Sequence, residues 1–270
     1  MNISKMGINR ISLGIQSFID TELKYLTRNH NSTEAEESIK ISNYLFNNVS
    51  VDIIYALPNQ TISEIDYNLS KICELNVNHV SAYTLILEQG TLMYKKMKNT
   101  NKIENVEAKA EQLYDIISDK LTDMGFKHYE VSNYALPDYE SRHNLKYWNF
   151  ENYLGLGPSA HSFINNKRFS NVKNLKYYNE SLYVDKLPIE ENSSLNKSQL
   201  RNDYFISVFR SKGVDLKKYK KLFEEDFLVK YSMVVDEILN LRLAEISDTH
   251  FYLNYRGFAV ADEITLKFIE

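Results

Sequence analysis

The sequence predicts an α/β fold, with parallel strands wound between helices and a smaller, mostly helical region behind them. Three observations predict it. Apolar segments of strand length at 9–18, 49–57 and 79–87 alternate with segments whose apolar residues recur at helical spacing. Helix-start signals fall between those segments. Beyond 185–198, the spacing stays helical except for two short extended pieces.

In chain order, residues 2–6 read as the last turn of a helix, with Gly7 as its C-cap. NRISLGIQSF (9–18) alternates like a strand. Asp20 is placed to cap a short helix, TELKYLT. Thr33 and Glu36 have capping-box spacing for a second helix, whose apolar side is Ala35, Ile39 and Phe46. VSVDIIYAL (49–57) is nearly continuously apolar, the pattern of a strand buried on both faces, and Pro58 ends it. A second capping box, Thr61 with Glu64, opens a helix to about Leu75. HVSAYTLIL (79–87) is the third strand. Gly90 opens a short helix. A long one follows over 104–124, with Val106, Ala110, Leu113, Ile117, Leu121 and Met124 on one side and Gly125 as its stop. KHYEVSNYA (127–135) reads as one further short strand.

In parallel β/α sheets, ligands sit at the carboxyl ends of the strands. That places Gln16, Ser17, the stretch Asp52 to Pro58, and Glu88 near a working face. The alternative is that these polar residues only cap strand ends. After a segment of helical spacing at 174–182, residues 185–198 are polar, contain Pro188 and read as a linker. Helices are expected near 198–212, 215–224 and 226–240, then extended pieces at 244–247 and 250–255. Gly257 precedes a last helix. Helices followed by a small hairpin suggest a winged-helix module.

Composition narrows the function. Hydrophobic residues make up 43% of the 270-residue chain, enough for a substantial core. The net charge of −4, with both signs interspersed, gives no basic surface for nucleic acid. No apolar run approaches the roughly 20 residues that span a bilayer, and no signal-peptide pattern opens the chain, so a cytoplasmic protein is expected. The single cysteine, Cys73, excludes an all-cysteine metal or iron–sulfur site built from one chain. It follows Ile65, Leu69 and Ile72 on one helix face and is expected to be a buried thiol.

Chemistry-bearing residues concentrate at 142–163, RHNLKYWNFENYLGLGPSAHSF, which holds the only tryptophan and two of the six histidines. On a helix, His143 and Tyr147 share one face, and Asn144 and Trp148 share the next. An imidazole beside aromatic walls suits a flat macrocycle such as haem, whose propionates Arg142, Lys146 or Arg168 could pair. The alternative is structural: Tyr147 and Trp148 pack as a lid and His143 bonds backbone. In YLGLGPSAHSF, the glycines permit a close backbone approach or a sharp turn. The segment has neither phosphate-loop nor nucleophile-elbow spacing, and the scattered histidines form no zinc motif.

Taken in order, NRISLGIQSF, LTRNH, VDIIYALPNQT, SAYTLILEQGT, YEVSNYA, RHNLKYWN and YLGLGPSAHSF resemble the radical-SAM haem chaperones of the HemW family. These are relatives of oxygen-independent coproporphyrinogen oxidases. The resemblance runs from about residue 3 to 170 and continues weakly through the tail. Pro158 and Ala56 depart from it, where alanine and glycine are usual.

The resemblance implies the C-terminal half of a partial (β/α)6 radical-SAM barrel with its haem-motif extension over 1–183. A linker at 184–198 and a winged-helix-like domain at 199–270 follow. It implies haem binding by His143, Asn144, Tyr147 and Trp148, with His143 as candidate iron ligand. Gln16, Arg28 and Asp52 match residues that line an S-adenosylmethionine pocket. The family's CxxxCxxC motif, which holds a [4Fe–4S] cluster, and its glycine-rich motif are not in this sequence. The expectation is therefore an N-terminally truncated haem chaperone, not catalytic alone. It would deliver haem to apoproteins, respiratory ones among them, and could pair with a separate N-terminal half. An oxidase of porphyrin biosynthesis and a non-functional fragment are the alternatives. The first strand would be an open edge, making the isolated chain marginally stable or aggregation-prone.

Overall fold

A computed structural model describes residues 3–86, 89–90, 94–95 and 103–269, without the side chains of 103–108 and 191–193. Glu88 and most of the segment after Gly90 lie outside the described residues, as does the side chain of Val106. The chain divides into two compact units, Met1–Glu140 and Ser141–Glu270.

In the first unit, a 3-10 turn at Ile3–Met6 ends at Gly7, whose φ is +85°. Strands β1 (Ile11–Gln16), β2 (Val49–Tyr55) and β3 (His79–Thr84) are parallel neighbours. Helices α1 (Asp20–Tyr25) and α2 (Ser32–Leu45) connect the first pair, and α3 (Ile62–Glu74) connects the second. Helix α4 (Ile103–Asp123) leads into β4 (Lys127–Glu130) and β5 (Asn133–Ala135), which are antiparallel to each other. The five-stranded sheet has the order β1-β2-β3-β5-β4, with β5 antiparallel to β3.

Side chains alternate across a strand. One face of the sheet presents Leu13, Ile15, Val51, Ile53, Tyr55, Val80 and Ala82. It packs on Ala35 and Ile39 of α2, Ile65, Leu69 and Ile72 of α3, and Leu113, Ile117 and Leu121 of α4. The other face carries Ser12, Ser50, Asp52, His79, Ser81 and Tyr83, in register across the three strands.

The structure changes several expectations here. β2 is not apolar on both faces, because Ser50 and Asp52 occupy the second. The box that starts α2 is Asn31 with Glu34, not Thr33 with Glu36. Asp20 lies inside α1 rather than capping it, and its carboxylate accepts from the Ser32 N–H at 2.8 Å. The segment 127–135 is two strands, since Val131 and Ser132 turn the chain back. Cys73 is exposed. The buried stripe of α3 is Ile65, Asn68, Leu69 and Ile72, and one residue past it the helix has turned by about 100° toward solvent.

The second unit opens with α5 (Arg142–Trp148) and a sheet of β6 (His161–Ile164), β7 (Lys167–Asn171) and β8 (Ile189–Ser194) in that order. Helix α6 (Leu175–Tyr183) lies between β7 and β8 and has no buried residue. Strand β8 occupies the expected linker. It joins the sheet through backbone pairing with β7, which polar side chains do not oppose.

Helices α7 (Lys197–Val208), α8 (Leu216–Phe223), α9 (Phe227–Lys230) and α10 (Ser232–Asn240) follow. A second small sheet joins β10 (Ala244–Ile246), β11 (His250–Leu253) and β9 (Val214–Asp215), a strand the sequence did not suggest. Gly257 lies within α11 (Tyr255–Ala259), ahead of α12 (Ala261–Leu266). The core is aromatic: Tyr204, Phe205, Phe209, Tyr219, Phe223, Phe227, Phe251 and Phe268 are fully buried. Phe150, just after α5, meets Tyr204 and Phe163 at ring distances of 5.4 and 4.7 Å. These contacts tie the end of α5 to β6 and α7 within the second unit.

Candidate functional site

The site is built on α5. Ser141 caps it, its hydroxyl accepting the Asn144 N–H at 3.4 Å. At the other end, the Lys218 ammonium donates to the carbonyls of Asn149 and Phe150 at 2.6 and 3.1 Å. Such a cation suits the negative end of a helix. Burial lowers the Lys218 pKa, while Glu151 and Asp215 oppose that shift. Arg142, His143 and Lys146 of α5 are exposed, and Asn144, Leu145, Tyr147 and Trp148 are half-buried.

His143 and Tyr147 share a face, as their spacing predicts. His143 is exposed, and its Nε2 lies 3.0 Å from the Tyr147 Oη. The two rings meet edge-on, with centroids 5.1 Å apart at 88°. Tyr147 packs in turn on Tyr153 at 4.5 Å. Asn144 and Trp148 lie on the neighbouring face. The Arg210 guanidinium sits 5.9 Å from the Trp148 ring centre and pairs with Asp262 at 2.7 Å. Trp148 Nε1 is buried without a hydrogen-bond partner. Arg142 and Lys146 are exposed, whereas Arg168 is already paired with Asp203 at 3.0 Å. His143 therefore bonds a side chain, not the backbone.

The glycines of YLGLGP serve both purposes left open by the sequence. A Cβ on Gly155 would stand 2.2 Å from the His161 carbonyl oxygen, so this is a close backbone approach. Gly157 has φ +100° and makes the sharp turn. Tyr153 and Phe163 exchange backbone hydrogen bonds of 2.8 and 3.0 Å across this loop. Ser162 accepts the Gly155 N–H, and the Asn171 amide donates to the carbonyls of Gly155 and Gly157. Ser162 and His161 thus belong to the loop's construction.

In the first unit, Gln16 ends β1 almost buried, with φ +66°. Asp52, in mid-β2, accepts from Ser12 Oγ at 3.1 Å. Arg28 is exposed after α1. Among the described residues no hydrogen bond joins these three. His30 bonds the Ile15 carbonyl at 3.0 Å and holds the end of β1.

Two further polar groups went unnoticed in the sequence. On the second sheet face, His79 is bonded by Ser50 Oγ at Nδ1 and Tyr129 Oη at Nε2, each at 2.8 Å. Burial, and then the nearby Arg10, push its pKa down to about 3. The alternating polar residues at 50 and 52 and at 79 and 81 were a period-two signal for this face. Behind the strand ends, the buried Glu22 carboxylate accepts from Ser17 Oγ, from Gln60 Nε2 at 2.8 Å and from Asn68 Nδ2 at 3.2 Å. Glu22 and Gln60 line a cleft of about 160 Å³, together with Thr21, Tyr25, Leu57 and Glu64. No local sequence pattern marks that group.

Haem fits the donor set at α5: an exposed imidazole, an aromatic neighbour and two exposed cations on one short helix. A [4Fe–4S] cluster does not fit, because the sequence has one cysteine. Among the described residues, no cluster of three His, Cys, Asp or Glu side chains could hold a metal ion. None of their helices is long and apolar enough to cross a membrane.

The fold defines the class first. Coproporphyrinogen III oxidase (HemN) from Escherichia coli, described as a radical SAM enzyme, superposes with a TM-score of 0.73 at 18% identity. The match covers 98% of this chain and 65% of that one. The chain has this mixed α/β fold. No protein-family model matches the chain. The heme chaperone HemW of Lactococcus lactis subsp. lactis (strain IL1403) is 31% identical over 268 residues, 99% of this chain and 70% of that protein. That of Bacillus subtilis (strain 168) is 27% identical over 269 residues, 99% of this chain and 71% of that protein. A radical S-adenosyl methionine domain-containing protein 1, mitochondrial, of Dictyostelium discoideum is 40% identical over 167 residues, 58% of this chain and 37% of that protein. The chain belongs to the heme chaperone HemW family.

Proposed function

We propose that this chain binds haem as a chaperone, holding it at α5 and passing it to apoproteins. The exposed His143–Tyr147 pair beside Trp148 carries the reading. His143 is the candidate iron ligand. Tyr147 and Trp148 offer ring contacts, Asn144 an amide, and Arg142 and Lys146 charges for the propionates. Haem, when bound, would supply an iron that takes a nitrogen ligand and a flat apolar surface. The protein's part is to present an imidazole and release it again. Replacing His143 with alanine is expected to abolish the Soret shift on haem titration; an unchanged shift and affinity would refute the assignment.

In this reading, the first unit is the C-terminal half of a partial (β/α)6 barrel, and 199–270 is a winged-helix-like domain. Gln16, Arg28 and Asp52 are the residual S-adenosylmethionine residues. Among the described residues β1 pairs with β2 alone, and its other edge supports a partner segment. In this reading the protein would act in the cytoplasm. The oxidase reading needs cysteines that this sequence does not contain, and nothing in the site favours it.

A further inference from the structure

We propose that the Tyr147 hydroxyl competes with haem iron for Nε2 of His143, and so sets how readily haem is released. The proposal rests on the reading of His143 as the iron ligand. Of the two ring nitrogens, Nδ1 lies next to Cβ and the helix backbone, and Nε2 points away from it. Nε2 is therefore the atom that would hold haem iron. It is the atom that Tyr147 Oη holds at 3.0 Å.

The phenol is held in place. Its ring packs on Tyr153 at 4.5 Å and 67°, and Tyr153 exchanges backbone hydrogen bonds with Phe163. One helical turn links His143 to Tyr147, so Oη stays within reach of Nε2 after the bond is broken.

Histidines that ligate metals are normally oriented by a hydrogen bond at the second ring nitrogen. Among the described residues nothing bonds Nδ1 of His143, whose one hydrogen bond is to Tyr147. An imidazole without that support, and with a rival on its ligating atom, binds iron in a form that is easily undone.

Freeing Nε2 breaks the Nε2···Oη hydrogen bond and would leave the Nε2 lone pair available to haem iron. If Nε2 carried the proton, the neutral ring takes one up from water at the free Nδ1 and loses the one on Nε2 to water. If the phenol was the donor, its proton turns to water. On release, Oη returns to Nε2. Tyr147 is thus a positioning residue with a hydroxyl that opposes ligation and a ring that supports it.

The test uses the full chain, haemin titration followed in the Soret band, and transfer of haem to excess apomyoglobin. Tyr147→Phe keeps the ring and removes the rival. It is expected to keep the wild-type Soret maximum and to slow haem transfer about two- to tenfold, the range of one net hydrogen bond. Transfer at the wild-type rate or faster would overturn the proposal. His143→Ala separates the two ideas. If it leaves the Soret band unchanged, the haem-ligand reading falls and this proposal with it. If it abolishes the band while Tyr147→Phe transfers like wild type, only the competition is wrong. Ring-nitrogen NMR shifts of His143 in the haem-free wild type give a readout that needs no variant. A hydrogen-bonded Nε2 that becomes solvent-like in Tyr147→Phe supports the proposal. Identical shifts in both proteins would refute it.

Discussion

Lowering the pH from 7.0 to 5.0 should remove about 4 kcal/mol of stability from the first unit, through two buried histidines. Burial, assisted by Arg10, brings the His79 pKa down to about 3. Burial brings that of His128 down to about 4, against the opposing pull of the Val131 and Glu130 backbone. Both are near 6.5 in the unfolded chain. Between the folded and unfolded values the unfolded chain holds more protons, so stability rises with pH there and falls on acidification. The loss begins as pH drops through about 6.5, and would finish only below the folded values. Because pH 5.0 lies above both of those, each histidine contributes about 1.4 kcal/mol per pH unit over roughly 1.5 units, or about 2 kcal/mol. Most carboxylates titrate below this window, which isolates the effect. The assay is urea unfolding followed by far-UV circular dichroism at pH 7.0 and 5.0, on the wild type and on His79→Gln. Glutamine keeps one donor and one acceptor for Ser50 and Tyr129 but does not titrate, so the variant should show about half the wild-type pH dependence. A wild-type loss under about 1 kcal/mol, or a variant with the same slope as the wild type, would refute the reasoning.

Two further outcomes are expected from the second unit. Lys218→Met removes the ammonium from the carbonyls of Asn149 and Phe150; this should cost about 1–2 kcal/mol and speed amide exchange over 142–148, with unchanged exchange counting against the cap. Gly155→Ala would force a Cβ to 2.2 Å from the His161 carbonyl; a loss of about 2–3 kcal/mol in urea unfolding, read by Trp148 emission, is expected, and wild-type stability would show that the approach is not tight.

What the sequence made legible, and what it did not, follows from the range of the interactions. The helical spacing of Ile65, Leu69 and Ile72 is local, and α3 forms where it predicts. Thr33 with Glu36 has the same spacing as Asn31 with Glu34, so spacing could not choose between them. The Asp20 carboxylate bonds the Ser32 N–H and ties the helix start to α1, a contact from twelve residues away. β8 was missed because its pairing with β7 uses backbone alone and leaves no apolar alternation to read. Nothing in the composition of 127–135 marks the turn at Val131 and Ser132 that divides it into two strands. Ala82 N–H donates to the Ser132 carbonyl at 2.8 Å, a bond made by β3. In the site, the pairing of His143 with Tyr147 and of Asn144 with Trp148 was legible from four-residue spacing. Lys218, Arg210 and the orphaned Trp148 Nε1 were not, since they arise from packing across the second unit.

Environment also sorts the six histidines, and that sorting bears on why His143 is the ligand candidate. An axial ligand needs an accessible nitrogen that can be freed at small cost. His79 is buried with both nitrogens bonded, so freeing either would strand a buried polar group. His128 stacks on Tyr134 at 4.1 Å, and burial lowers its pKa to about 4. His30 fastens the end of β1 through the Ile15 carbonyl. His250 is bonded to Thr249 at the start of β11, and among the described residues it makes no ring contact. His161 is exposed, but its carbonyl is the surface that Gly155 approaches, so its backbone serves the loop. Among the described residues, His143 alone combines exposure with an aromatic neighbour whose hold on it is a single solvent-exposed hydrogen bond. Breaking that bond strands nothing, because water can replace either partner. The preference for His143 therefore rests on what each of the other five would lose by letting go.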